Sequence, residues 1–288
     1  MFVITGATGH TGSVAAETLL ALGKQVRVVV RDAAKAKALA ERGAEVVTAD
    51  LSDEAALTRA FQGADGVFML SPPDVTLKDF LGDRKKLTDG LARVAKAAKV
   101  KHVVLLSSIG SQHEAGTGMI RSTHAAELAL RATGLPVTFV RAGYFVENWA
   151  AVLQPVQQDG ALPSFIAAAQ AIPMVASHDI GKTIAQALLD GPRGTRVIEL
   201  AGPVEATPND VAAALSKILG KPVKVAEAPL SAVVPTFTSF GFSQNVAELF
   251  REMYEGLANG KVSWQGGTEL VRGTTSLEDT LRALTGKQ

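Results

Sequence analysis

The 288-residue chain contains no cysteine. That single absence excludes disulfides, thiolate nucleophiles and cysteine-ligated zinc. An excess of charge of one sign is also missing: 29 basic against 28 acidic residues leave a net charge of +1. The two signs are interspersed, so no electrostatic footprint for DNA or RNA stands out. Aromatic residues make up 5%, which argues against platforms on which nucleic-acid bases stack. No apolar run approaches the roughly 18 residues that a membrane-spanning helix needs. The first residues lack the basic stretch and apolar segment of a secretory signal. The expectation is a cytoplasmic protein that neither binds nucleic acid nor spans a membrane. Two catalytic signatures are missing as well. There is no G-x-x-x-x-G-K-[ST] for a P-loop nucleotidase, and Leu106 stands where a nucleophile elbow around Ser108 needs its first glycine.

What is present begins at once. Residues 2–5, FVIT, are a short apolar, β-branched run that breaks at Gly6, and glycines then recur as Gly6-x-x-Gly9-x-x-Gly12. A helical pattern follows over 13–22, and residues 26–30 read as a second strand buried on both faces. A strand, a glycine turn and a helix opening on that turn make a phosphate site for physical reasons. The helix N-terminus offers unpaired N–H donors and the positive end of its dipole, and glycines let the backbone approach a pyrophosphate. The spacing differs from G-x-G-x-x-G, but the strand–turn–helix–strand context points to a dinucleotide. At the end of the second strand, where an NAD site places an acidic residue, this chain has Arg31. A guanidinium suits the 2′-phosphate of NADPH. NADPH is therefore expected, with NADH as a second cofactor. Asp32 follows directly and is read as the N-cap of a helix over 33–42, which would turn it away from that phosphate.

The alternation continues: strands over 44–48, 66–70, 102–106 and 137–140, with helices over 53–61 (capped by Ser52), 77–99 and 122–133. The predicted fold is α/β, a Rossmann-type doubly wound parallel sheet with a smaller C-terminal substrate lobe. Residues 1–150 form the dinucleotide-binding core, to which 178–202 return as a helix and a last strand. Residues 151–177 and 203–288 form the smaller lobe. It includes a helix opening at Thr207-Pro208-Asn209-Asp210, a short strand over 223–227, an apolar segment over 230–242 and a helix over 245–257. Phe237, Phe240 and Phe242 are read as a pocket wall or as ordinary packing. Ligands in such sheets sit beyond the carboxyl ends of the strands. The cofactor-binding candidates are Gly6, Thr8, Gly9, His10, Thr11 and Gly12 at the turn, Arg31, Asp50 and Leu51, Leu70 and Ser71, and Ser107 after the fifth strand. A homodimer is the default expectation for such a chain.

Carbonyl-reducing Rossmann enzymes commonly carry a Tyr-x-x-x-Lys proton donor on the helix after the fifth strand. None exists here: the two tyrosines, Tyr144 and Tyr254, lack a lysine four residues on. A missing general acid forfeits about 10²–10⁴-fold, so a simple ketone would be a poor substrate. A quinone is less demanding, because the anion formed on hydride arrival is delocalised.

The motifs Gly6-Ala7-Thr8-Gly9, Val30-Arg31-Asp32, Ala49-Asp50, His124-Ala-Ala-Glu127 and Arg141-x-Gly143-Tyr144-Phe145-x-Glu147-Asn148-Trp149 together resemble the NmrA-like branch of the atypical short-chain dehydrogenases. Within it the chain is most similar to the NADPH-dependent quinone oxidoreductases of type 2, over nearly its whole length. The resemblance implies hydride transfer to a small-molecule electron acceptor such as a quinone. That family also includes azo and imine reductases, and regulators that bind the dinucleotide without turnover, so a redox sensor and a biosynthetic carbonyl, imine or azo reductase stay open. It places His124 beside the nicotinamide ribose, as a ribose or substrate contact or a proton donor; the alternative is a histidine paired with Glu127. Tyr144 is the other catalytic candidate, as acid or positioning group, against a role in the core. Glu147 and Asn148 are read as loop-fixing residues, Ser107 and Ser108 as ribose or substrate contacts or plain turn residues. No metal site is expected, since His124 and Glu127 have no further ligand at a supporting spacing.

Overall fold

The computed structural model describes residues 1–286. The chain opens on β1 (Phe2–Thr5), turns at the glycines and enters α1 (His10–Ala21). It continues through β2 (Val26–Val30), a 3-10 turn and α2 (Lys37–Glu41), β3 (Glu45–Thr48), α3 (Glu54–Phe61), β4 (Gly66–Met69), α4 (Phe80–Ala97), β5 (Val103–Ser108), α5 (Arg121–Arg131) and β6 (Val137–Ala142). Then come β7 (Tyr144–Phe145), α6 (Leu153–Asp159), β8 (Ala161–Ser164), β9 (Met174–Val175), α7 (Ser177–Asp190), β10 (Thr195–Ala201), α8 (Pro208–Leu219), β11 (Lys224–Glu227), α9 (Val233–Ser239), α10 (Gln244–Ala258), β12 (Glu269–Arg272) and α11 (Leu277–Thr285).

Eight strands form one sheet in the order β12-β10-β6-β5-β4-β1-β2-β3, and every pairing in it is parallel. Between the edge strands β3 and β12 the strands are largely apolar on both sides, because both faces are covered. The pleat sends alternate residues to opposite cores. Ile4, Val28, Phe68, Val104 and Val140 pack with Leu19 of α1 and Ile180 and Ile184 of α7. Their neighbours Val3, Val29, Met69, Leu105 and Phe139 pack on the other face with Phe61 of α3, Leu91 of α4 and Leu130 of α5. A third core gathers Trp149, Leu162, Met174, Leu215, Leu257 and Leu281. Among the described residues no helix is long and apolar enough to cross a membrane.

Four local expectations change. The first helix starts at His10, because Gly9 is already in the extended conformation of an N-cap. The predicted helix over 33–42 is a 3-10 turn followed by the short α2, with Asp32 as the expected cap, its carboxylate accepting from the Ala34 amide. The cap of α3 is Asp53, whose carboxylate accepts from the Ala56 amide at 2.9 Å. Ser52, read as that cap, instead donates its amide and hydroxyl to Asp50. The C-terminal segment also does not keep to the lobe. β12 pairs with β10 and adds an eighth strand to the main sheet, and the turn after it is tied to α7 through Thr275, which donates to Asp179 twice, at 2.9 Å.

Candidate active site

The glycine turn lies at the carboxyl end of β1, in the middle of the sheet. Gly6 adopts φ +62°, and a Cβ on it would sit 2.6 Å from Leu70 Cδ2. Gly12 is tighter still: a Cβ would lie 2.3 Å from the Gly6 carbonyl oxygen. The turn can therefore close under α1 only with glycine at both positions. No side chain caps α1, and no acidic residue lies in its first turn, so the positive end of its dipole is left for an incoming anion. Thr8, Gly9 and His10 are exposed at its mouth, and Thr11 is buried.

One end of the cradle carries Arg31, exposed after β2. Asp32 is turned away into its capping bond, accepting from the Ala34 amide at 3.0 Å. Asp50 is held below the usual carboxylate range by the Ser52 hydroxyl and then the Ser52 amide, with a smaller contribution from the Arg31 guanidinium. Leu51 and Leu70 are half-buried beside the turn. The Ser71 hydroxyl oxygen, at the end of β4, is buried with no hydrogen-bond partner among the described residues. An uncapped helix end, two glycines with no room for a side chain, a free guanidinium and an orphaned hydroxyl together fit a dinucleotide phosphate.

Toward the other end, beyond β5 and β6, the groups are locked together. Ser107 turns its hydroxyl inward and donates to Glu127 Oε1 at 2.6 Å. Arg141 donates to both oxygens of Glu127, at 2.8 and 2.7 Å, and through Nη1 to Gln265 Oε1 at 2.5 Å. Glu127 is thus spoken for, and His124 does not pair with it. The His124 Nδ1 lies 2.8 Å from the Ser111 carbonyl oxygen. A carbonyl only accepts, so Nδ1 carries the proton and Nε2 is the acceptor nitrogen of the neutral ring. Glu147 fixes the loop after β6 by accepting from the Ser177 amide at 2.8 Å and from its hydroxyl at 2.6 Å.

Tyr144, in β7, reaches the same region. Burial pushes its hydroxyl well above the ordinary phenol range. Burial likewise pushes Tyr254 up to about 12. Both rings keep part of their surface open. Around them the scarce aromatics converge. Phe237 stacks on Phe250 with centroids 4.6 Å apart and touches Phe242 at 4.9 Å. Phe165 packs on Tyr254 at 5.5 Å, and Trp149 packs on Tyr144 at 6.1 Å. Phe240, read with Phe237 and Phe242 as wall, is instead 73% exposed and outside the cluster. A shallow cavity of about 420 Å³ lined by Phe2, Lys24 and Leu189 opens at the amino ends of the strands. It is on the wrong side of the sheet to serve the glycine turn.

The sequence profile of the NmrA-like family matches residues 1–279. The chain belongs to the NmrA-like family. Quinone oxidoreductase 2 of Escherichia coli (strain K12) is 30% identical, over 90% of this chain and 89% of its own. The NAD(P)H azoreductase of Xenophilus azovorans is 27% identical, over 88% and 86%. The crystal structure of the Escherichia coli NADPH-dependent quinone oxidoreductase complexed with NADPH superposes with a TM-score of 0.84 at 28% identity, covering 99% of this chain and 100% of that one.

Within this NmrA-like frame, the cradle at the turn was readable in sequence, whereas much of the far end was not. Tyr254, Phe165 and Phe250 come from segments with no motif. The one available signal was that the chain's only other tyrosine besides Tyr144 lies in the lobe. The Arg141–Glu127 pair was visible as two motif residues, but not as a pair.

Proposed function

We propose that this NmrA-like protein is an NADPH-dependent reductase of quinones and similarly activated planar acceptors. What supports the proposal is the gathering of aromatic side chains around Tyr254 and Tyr144, together with the cradle that fits a dinucleotide phosphate. Four phenylalanines of eleven, both tyrosines and one of two tryptophans gather there, in a chain otherwise poor in aromatics. Flat faces of this kind suit a flat ring system, and a sensor of the dinucleotide alone has no use for them. The glycine turn and the α1 N-terminus would hold the pyrophosphate, Arg31 the 2′-phosphate and Ser71 a further phosphate or ribose oxygen. The cytoplasm, where NADPH is held reduced, suits this activity, and the near-neutral charge supports a small-molecule partner.

Bound NADPH supplies hydride from the nicotinamide. The protein's own part is to hold the acceptor ring, exclude water and protonate the atom on which negative charge develops. Tyr144 is the candidate acid, because burial keeps its hydroxyl protonated. With Nδ1 turned to the Ser111 carbonyl, Nε2 of His124 is the nitrogen left for a ribose hydroxyl.

Mixing the protein with NADPH and a panel of quinones, azo dyes and ketones while following cofactor absorbance tests this reading. Rapid quinone-dependent oxidation is expected, slowed several-fold by Tyr144→Phe with little change in the KM for NADPH. His124→Ala is expected to raise that KM instead. Tight NADPH binding without turnover on any acceptor would sink the reductase assignment. Removing the guanidinium with Arg31→Ala deletes a charge-assisted contact worth about 1.5–3 kcal/mol. NADPH binding should weaken at least tenfold and NADH binding by no more than about twofold. Equal losses for both would show that Arg31 does not read the 2′-phosphate.

A further inference from the structure

Residues 229–242, PLSAVVPTFTSFGF, contain no charged side chain and carry α9 between two fixed points. Before them, the Ala228 amide donates to the Ser164 carbonyl at 2.9 Å. After them, the Ser243 amide donates to the Val75 carbonyl at 2.9 Å, and its hydroxyl to the Leu77 carbonyl at 2.6 Å. Between these points every hydrogen bond among the described residues stays inside the segment. The Ala232 amide donates to Pro229, those of Phe240 and Phe242 to Phe237, and the Thr238 and Ser239 hydroxyls to carbonyls one turn back. Apolar contact alone ties the segment to the body: Val233 is its one buried residue, and Phe237 and Phe242 are half-buried. Gly241, at φ +86° with open space where a Cβ would be, stands at the far end, where a hinge can absorb a backbone rotation.

The wall under this segment is fixed by contrast. A Cβ on Gly118 would lie 1.9 Å from the Leu249 oxygen of α10, and one on Gly256 would lie 2.6 Å from the Gly116 oxygen, so α10 is seated backbone against backbone. On that wall lies one ring from the lightly tied segment. Phe237 stacks on Phe250 at 4.6 Å with an angle of 11° between the planes. It is also within 27° of parallel to Tyr254, at 6.4 Å, and within 34° of parallel to Phe165, at 6.0 Å. Three rings of the body thus form a bed for one flat guest, and Phe237 takes that place. A flat acceptor ring stacks on the same faces. We propose that residues 229–242 are a lid over the acceptor site and that Phe237 is the ring an acceptor displaces. Acceptors are then selected by how well they stack on Phe250 and Tyr254. The inference rests on the reductase reading above and adds to it where the acceptor ring lies and which residue competes for that place.

Steady-state rates with NADPH and 1,4-naphthoquinone, for wild type, Phe237→Ala and Phe250→Ala, test the lid. An acceptor that displaces Phe237 first breaks its stack on Phe250. Removing that ring should therefore lower the quinone KM by about two- to tenfold. Removing the wall in Phe250→Ala should raise the KM by a similar factor. Two rings in contact would then move KM in opposite directions, which ordinary packing does not do. NADPH affinity, measured by fluorescence titration, should be unchanged in both variants, which establishes that they are folded.

A second readout needs no turnover. The chain has no cysteine, so Ser239→Cys, at an exposed position of α9, takes a single nitroxide label. With NADP⁺ bound there is no hydride to transfer, and 2-methyl-1,4-naphthoquinone is a ligand only. Its addition should narrow the nitroxide lines saturably as the lid lifts. In the Phe237→Ala background the lines should be narrow before any quinone is added. A quinone KM that is unchanged or raised in Phe237→Ala, or lines that quinone leaves unchanged in the otherwise wild-type protein, would overturn the lid and leave the reductase reading standing. Wild-type protein that consumes no NADPH with any acceptor would overturn the reductase reading, and with it the selection of acceptors by the lid.

Discussion

Gly12→Ala is expected to raise the NADPH dissociation constant by about 100-fold or more. The added Cβ would lie 2.3 Å from the Gly6 oxygen, 2.8 Å from the Gly6 carbon and 3.1 Å from the Ala7 Cα. All three are backbone atoms, so no rotamer change relieves the clash, and α1 must back away from the turn. Overpacking of this kind typically costs ~1–3 kcal/mol of stability. The greater consequence is for binding, since the α1 amides and the turn amides must converge on one pyrophosphate, and a displaced helix separates them. Gly9→Ala provides the contrast. Gly9 has φ −93°, and its Cβ would meet only the Gly6 oxygen, at 3.4 Å. The free protein should therefore keep its stability, while binding weakens if the pyrophosphate passes over Gly9. Denaturant titration and NADPH titration of both variants separate the two roles. Full NADPH affinity in Gly12→Ala would mean that the cofactor does not lie across α1.

The difference between these two glycines also marks what sequence could and could not say. The triplet of glycines, the strand before it and the helix after it are local, and local chemistry is legible: only a side-chain-free turn lets a helix start so close to a strand end. Asp32 was legible as a cap for the same reason, because an Asx side chain bonds its own backbone two residues on. Ser52 misled because two capping residues stand side by side, and the choice of Asp53 depends on Asp50 taking the serine first. β12 was missed because an edge strand buries little: three of its four residues are exposed, so neither alternation nor an apolar run announces it. Tyr254 was missed because a tyrosine on the buried side of an amphipathic helix looks like packing. Only tertiary folding sets its ring against Phe165, Phe237 and Phe250.

Glu127→Ala is expected to destabilise the fold by about 3–5 kcal/mol, the cost of leaving a buried charge without its partner. Glu127 and Arg141 are each 3% exposed, and the guanidinium makes two of its bonds to that carboxylate. Arg131, 3.5 Å from the same carboxylate, is 38% exposed and can turn to water, so the penalty falls on Arg141. Denaturant midpoints at constant slope give the measurement. The informative companion is Glu127→Leu with Arg141→Met, which removes both charges and keeps the volume. Replacing a buried ion pair in this way is often neutral, so the double variant should recover most of the lost stability. It should not recover function in the same measure. Ser107 donates to Glu127, Ser111 approaches the Ser107 hydroxyl to 3.1 Å, and the Ser111 carbonyl sets the His124 tautomer; on the other side Arg141 holds Gln265, whose amide donates to the buried Glu199 at 2.7 Å. A stable double variant with a raised KM for NADPH would show that the pair is kept to place His124. If the double variant is as unstable as Glu127→Ala, the pair is instead a net contributor to the fold, worth more than the apolar packing that replaced it.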